Sequence, residues 1–237
     1  MDYGEEDGAL DPILQGLIQA IELILSGDPE VFRISALSLF VSIAGTLLSC
    51  VWSLPISAVL ALRNVPGRRT AKGLFNALIG IPTVALGLYL YLLLSRSGPL
   101  GYFQLLYTPY AIVIGQCILV TPIIVSFTTS ALESVNPEVR SLARTLGASG
   151  FQTDALVLRE ARGAVVLAIV AAFNRAFAEL GVAMMLGGNI RNVTRVLTTA
   201  IALQTAMGEI SLSIALSIIL LGIVMTLSII VSLARKR

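Results

Sequence analysis

The chain contains no histidine. That absence removes the Ser-His-Asp triad, the Cys-His dyad, histidine-ligated zinc and haem, and the one side chain whose ordinary titration falls near neutrality. Charge is also scarce, at 13% of 237 residues, where an ordinary globular chain carries about 25%. Only Lys72 and Lys236 are lysines, and no G-x-x-x-x-G-K-[ST] phosphate loop is present, which excludes a phosphate-loop ATPase on this chain. The net charge of +2 offers no field for nucleic acid. Cys50 and Cys117 lie in apolar runs without CxxC spacing and read as small core residues. What remains is hydrophobic: 56% of residues by count, with a mean hydropathy of +0.89.

Uncharged stretches locate the membrane crossings, because a charge at mid-bilayer costs about 2.5 to 3.5 kcal/mol or more on insertion scales. Ile34–Leu62, Gly73–Ser95, Ser97–Leu132 and Ile210–Ala234 run 29, 23, 36 and 25 residues without a charge. Each exceeds the roughly 20 residues needed to span. A fifth apolar segment, Gly163–Ile190, is interrupted by Arg175 and Glu179, which an unbroken helix would place on one face. The expected fold is therefore an all-α polytopic membrane protein, one domain over residues 1–237 with five core spans and a cytoplasmic loop over 134–162.

Leu10–Ser26 is about 17 residues long and carries Gln15, Gln19 and Glu22 at helical spacing, behind the acidic run Asp2, Glu5, Glu6, Asp7 and Asp11. It suits a helix lying in the interface, with a spanning helix as the alternative. The acidic start lacks the basic region of a cleavable signal. Arg63, Arg68, Arg69, Lys72, Arg140, Arg144, Arg159, Arg162, Arg235, Lys236 and Arg237 fall on one side of five spans. By the positive-inside rule, the N-terminus is then external and the C-terminus cytoplasmic.

Pro55, Pro82 and Pro122 put breaks inside three spans. In the fourth, Ala164, Ala168, Ala172 and Ala176 have the small-xxx-small spacing that lets helices approach closely. Arg175 and Glu179 fall in the same arc, either as a pair fixing register or as part of a gate or anion path. Ser126, Thr129 and Ser130 near the end of the third span either bond within the protein or line a polar path. Arg191 and Arg195 on the opposite loop either meet a partner's acidic rim or snorkel to headgroups. No nucleophile-base pair or metal-ligand cluster stands out, so catalytic and metal sites are expected to be absent.

The loop after the third span has the most explicit local code. Asn136 fits an N-cap, Pro137 the first helical position, and Glu138 the positive helix end. Val139, Leu142, Ala143 and Leu146 follow the i, i+3, i+4, i+7 pattern opposite Arg140 and Arg144, and Gly147 supplies a left-handed stop. Ser149 and Gln152 fit a capping box opening a second short helix, with Phe151, Ala155 and Leu158 on one side. Such a knob suits either a groove on a partner or the lipid headgroups.

This segment resembles the cytoplasmic loop of ABC importer permeases, whose pattern is Glu-Ala-Ala, three residues, Gly, nine residues, Ile-x-Leu-Pro. Aligned on Gly147, Ser141-Leu142-Ala143 and Val157-Leu158-Arg159-Glu160 keep the second Ala, the Gly and an aliphatic residue, but not the Glu, the Leu or the Pro. The stretches GIPTVALGLYLYLLLSRSGPLG, from Gly80 to Gly101, and ELGVAMMLGGNIRNVTRVLTTAIALQT, from Glu179 to Thr205, are similar to tungstate-type permeases of the oxyanion importers. The resemblance implies the type I importer permease fold and a homodimer in the inner membrane. It also implies two ATPase subunits that use ATP, no cofactor on this chain, and an external binding protein that delivers tungstate, or else molybdate or sulfate. On this resemblance, residues 137–146 form the coupling helix, with Leu142, Ala143, Arg144, Leu146 and Gly147 at the ATPase contact. A secondary transporter or channel subunit is the rival reading; such proteins commonly carry internal repeats, and none stands out here.

Overall fold

The computed structural model describes the backbone from Glu5 to Arg235, with side chains from Ile13 to Ile230 and at Leu233. The side chains of Asp2 to Asp11 and of Arg235, Lys236 and Arg237, which carry part of the charge asymmetry used for orientation, lie outside the described residues. Among the described residues there are ten α-helices, one short 3-10 turn and no strand. They are α1 (Glu5–Leu25), α2 (Pro29–Leu62), α3 (Arg68–Leu78), α4 (Thr83–Leu94), α5 (Pro109–Glu133), α6 (Pro137–Thr145), α7 (Gly150–Phe177), α8 (Gly181–Gly187), α9 (Leu197–Ala206) and α10 (Ile210–Arg235), with the 3-10 turn at Gly101–Phe103.

Three expected spans are single helices long and apolar enough to cross a membrane: α2, α5 and Ile210–Ile230 of α10. The other boundaries differ from the expectation, each for a local reason. The second span is broken between α3 and α4, because Pro82 lacks an N–H and disfavours helix at Ile81. The third starts at Pro109 rather than at Ser97. Thr108 accepts from the Ala111 N–H at 3.4 Å and Pro109 takes the first helical position, while residues 95–108 form a glycine- and proline-bearing loop.

The fourth departs furthest. The capping-box helix does not stop but runs on as α7 for 28 residues, since no proline or cap interrupts it before Phe177. The chain then breaks at Ala178–Leu180, where the Glu179 carboxylate accepts the Val182 N–H at 3.1 Å and opens α8. Arg175 and Glu179 therefore do not share one continuous helix.

The helices group into two compact units. The first comprises residues up to Ile43, Thr83–Gln116 and from Phe177 onward. Here α1 and α9 lie against α10, and α4 lies against α8. Backbone groups tie its loops: the Tyr107 N–H donates to the Leu186 carbonyl at 2.9 Å, and the Leu197 N–H to Ser38 Oγ at 2.8 Å. On α1, Ile13, Leu17, Ile21 and Leu25 are exposed, whereas Gln15 accepts from Ser211 Oγ of α10 at 3.4 Å. An outward apolar face of this kind suits contact with lipid.

The second unit comprises Ala44–Pro82 and Cys117–Ala176. Val120, Ile123 and Ile124 of α5 pack on Ala172 and Ala176 of α7. The small alanines thus bring two helices together as their spacing anticipated. A second cluster joins Ala61, Leu132, Val135, Val157 and Ala161, with Val139 of α6 against it. Burying such aliphatic side chains contributes about 25 cal/mol per Å² of apolar area removed from water, or from lipid only the gain in packing.

Candidate functional site

The helix-turn-helix over 136–152 forms as its local code demands. The Asn136 side chain accepts from the Glu138 N–H at 2.9 Å, capping α6 with Pro137 next in line. At the other end, the Ala148 N–H reaches the Ala143 carbonyl at 2.9 Å and the Gly147 N–H the Arg144 carbonyl at 3.0 Å, a Schellman closure. That closure needs Gly147 at φ +82°, a conformation in which other residues are strained although no atom lies within 4 Å of an added Cβ. The capping box then closes from both sides: Ser149 N–H to Gln152 Oε1 at 2.8 Å, and Gln152 N–H to Ser149 Oγ at 3.3 Å.

Packing divides the apolar residues of this segment. Ala143 is buried and Val139 rests on the Ala61–Leu132–Val157 cluster, which fixes α6 to the ends of α2, α5 and α7. Leu142, Leu146 and Phe151 are 62%, 78% and 80% exposed, with Arg144 exposed beside them. The stripe Phe151, Ala155 and Leu158, placed on one side of this helix by its spacing, faces outward; Thr153, Val157 and Ala161 at i, i+4 and i+8 are the buried ones. The result is an apolar protrusion on a rigid base. Three basic side chains on neighbouring helix ends brace it: Arg63 donates to Asp154 at 2.7 Å, and Lys72, with Arg68 at 3.1 Å, to Glu133.

The polar residues inside the helices form a second set. Ser126 and Thr129 of α5 are buried and Ser130 is exposed. The hydroxyls of Thr46, Ser126, Thr128 and Thr129 have no hydrogen-bond partner among the described residues. Leaving a buried hydroxyl unpaired costs about 1 to 3 kcal/mol. Sequence reasoning missed the matching feature on α2: Ser38, Ser42, Thr46, Ser49, Ser53 and Ser57 are all buried along one seam. Their 4-4-3-4-4 spacing was the available signal. Within the second unit this seam meets α5, with Ser49 Oγ 2.9 Å from Thr121 Oγ1 and Ser57 donating to the Val125 carbonyl at 3.3 Å. Arg175 is half-buried in the last turn of α7 and Glu179 is buried in the break that follows.

The third set lies on the loop between α8 and α9. Arg191 donates through Nε and Nη2 to both Glu30 oxygens at 3.1 and 2.5 Å, and Arg195 reaches the same carboxylate at 3.4 Å. Hydrogen bonding to Glu30, and then its charge, hold the Arg191 guanidinium above its already high range. Arg33 donates to Asn192 at 2.7 Å, so the loop is strapped to the first turns of α2. Glu30 was not singled out from sequence, because its partners lie some 160 residues away. Among the described residues no cluster of three or more His, Cys, Asp or Glu could hold a metal.

Comparison with known proteins adds the following. The family described as binding-protein-dependent transport system inner membrane component matches residues 53–237. The tungstate uptake system permease protein TupB of Peptoclostridium acidaminophilum is 38% identical over 214 residues, 90% of this chain and 94% of that one. A probable anion ABC transporter permease protein of Haloferax volcanii is 42% identical over 197 residues, 81% and 85% of the two chains. A solved structure of the MetNI methionine ABC transporter in inward-facing conformations matches with a TM-score of 0.65 at 17% identity, over 88% of this chain and 94% of that one.

Proposed function

Because the chain belongs to the binding-protein-dependent transport system inner membrane component family, we propose that it is the multi-pass permease subunit of an ATP-driven importer for an oxyanion, tungstate before molybdate or sulfate. The observation that carries the coupling step is the protrusion at 137–151, capped at each turn, rooted through Ala143 and Val139, and presenting Leu142, Leu146 and Phe151 outward. An exposed apolar anchor on a stiff base is what a helix-in-groove contact requires. In this reading the groove belongs to a separate ATPase subunit, two of which serve a permease homodimer. Their closure on ATP pushes α6, and α7 carries the push into the membrane without an intervening hinge.

Residues 134–162 are then cytoplasmic, with the N-terminus external. Leu142, Leu146, Arg144 and Gly147 shape the ATPase contact, and Ala143 supports it from inside. Ser126, Thr129, Ser130, Arg175 and Glu179 are assigned to the polar path; the Ser126 and Thr129 hydroxyls, buried with no hydrogen-bond partner among the described residues, support this. Arg191 and Arg195 are assigned to the edge that meets an external binding protein, their two positive charges only partly offset by Glu30. Selectivity rests mainly with that protein, since a tight site in the permease would slow release.

The test is reconstitution in vesicles with an ATPase subunit and a tungstate-binding protein. Uptake that requires all three and ATP supports the assignment. Uptake down a gradient by this chain alone would sink it in favour of a secondary transporter or channel.

A further inference from the structure

The end of α4 and the loop after it line an open pocket of about 530 Å³ that the coupling reading does not use, with Arg96, Ser97, Gln104 and Tyr107 exposed. Its lining includes Tyr91, Ser95, Arg96, Ser97, Gln104 and Tyr107. Every one of these can donate a hydrogen bond, and the single charged group is cationic. No carboxylate among the described residues pairs with Arg96, in contrast to Arg191 and Arg195, which share Glu30. The pocket is therefore matched to an anion with several acceptor oxygens.

The loop is also built to hold that shape. A Cβ added at Gly98 would sit 2.1 Å from the Leu92 carbonyl oxygen, and one at Gly101 2.2 Å from that of Ser95, so the backbone lies directly on the end of α4. The Leu100 N–H donates to the Leu93 carbonyl at 3.0 Å, closing this contact. Gln104 and Tyr107 are held in the left-handed region, at φ 49° and 63°, where non-glycine residues are strained. Tyr107 is tied down by its N–H to the Leu186 carbonyl and packs its ring edge to face on Tyr91, with centroids 6.4 Å apart. Ser97 Oγ, 3.3 Å from Ser95 Oγ, is on an exposed side chain that can turn.

We propose that this pocket is a receiving site for the transported tetrahedral oxyanion, held by the Arg96 guanidinium and the surrounding hydroxyl and amide donors before it enters the membrane. The inference rests on the importer reading and on the loop lying on the external side. A lipid phosphate has the same chemistry, and Tyr102 and Phe103 at the loop tip, 92% and 63% exposed, would bring it close to headgroups.

The test uses the complete complex, permease with ATPase subunit and binding protein, in vesicles. With Arg96→Ala, the maximal tungstate uptake rate falls about tenfold while the half-saturating concentration of loaded binding protein stays the same; Arg96→Lys recovers part of the rate. Assembly is checked by co-purification of the ATPase subunit. Equilibrium dialysis of tungstate against wild-type permease in nanodiscs of zwitterionic lipid gives weak saturable binding that Arg96→Ala loses. An unchanged rate in Arg96→Ala overturns the proposal. A raised half-saturation with unchanged maximum also overturns it, since Arg96 would then dock the binding protein. Displacement of tungstate by adding phosphatidylglycerol to the nanodisc assigns the pocket to lipid and likewise overturns it. A wild-type complex that moves no tungstate, molybdate or sulfate defeats the importer reading instead, whatever the dialysis shows.

Discussion

Two loops of this chain solve opposite problems with similar means. The segment 136–152 turns apolar side chains out, whereas the segment 95–108 gathers donors around a pocket with one guanidinium that no carboxylate meets among the described residues. Both hold their shape through glycine, but for different reasons. Gly147 has free space around it and is needed for its φ of +82°; Gly98 and Gly101 are needed because a neighbouring backbone occupies the room a Cβ would take. The first loop is stiffened by its own hydrogen bonds, the second by contacts with α4 and with Leu186. A surface for a protein groove can thus be assembled from local rules, while a pocket for a small anion requires groups fixed from elsewhere in the fold.

The sharpest way to break the comparison is Gly147→Val. A β-branched residue at this φ is strained by about 1 to 2 kcal/mol or more and undoes the Schellman closure. ATP-driven uptake is expected to be lost and co-purification of the ATPase subunit to fail, while the protein still inserts in the membrane. Retained coupling would show that the turn does not shape the contact.

Leu146→Glu comes next, since it leaves the turn intact and only replaces an exposed apolar anchor by a charge. Loss of a central apolar contact costs about 2 kcal/mol or more, roughly a thirtyfold drop in affinity. Titration of ATPase subunit onto the permease measures it, and an affinity like wild type would move the contact off this helix. Arg96→Ala, at about tenfold in maximal uptake rate, probes the other loop, and the two effects should combine independently because they act on different steps. The smallest effect belongs to Asn136→Ala, which removes the cap of α6 at a cost of about 1 kcal/mol. Hydrogen exchange should accelerate at Glu138 and Val139 by about fivefold, with ATPase binding only slightly weakened.

How far each site could be read in advance follows from how local its determinants are. Asn136, Pro137, Gly147, Ser149 and Gln152 act on atoms one to five residues away, so their caps and turns were legible and each formed as expected. The direction of the faces was not: periodicity finds a stripe through Phe151, Ala155 and Leu158, but whether it meets core or surroundings depends on which helices arrive beside it. The break after Phe177 was equally invisible, because an alanine-rich apolar run does not announce that the Glu179 carboxylate will cap a new helix.

Composition, uncharged runs and capping residues by themselves determined that this is a polytopic helical protein with a structured polar loop, because lipid excludes charge and each cap bonds to its immediate neighbours. Only the tertiary structure decided that Leu142, Leu146 and Phe151 point outward, that Glu30 meets Arg191, and that Arg96 lies in a pocket of donors with no carboxylate partner among the described residues. The first two depend on segments tens to more than a hundred residues apart, and the third on how residues 91–107 fold back on the end of α4 and are held by Leu186, none of which a short-range pattern encodes.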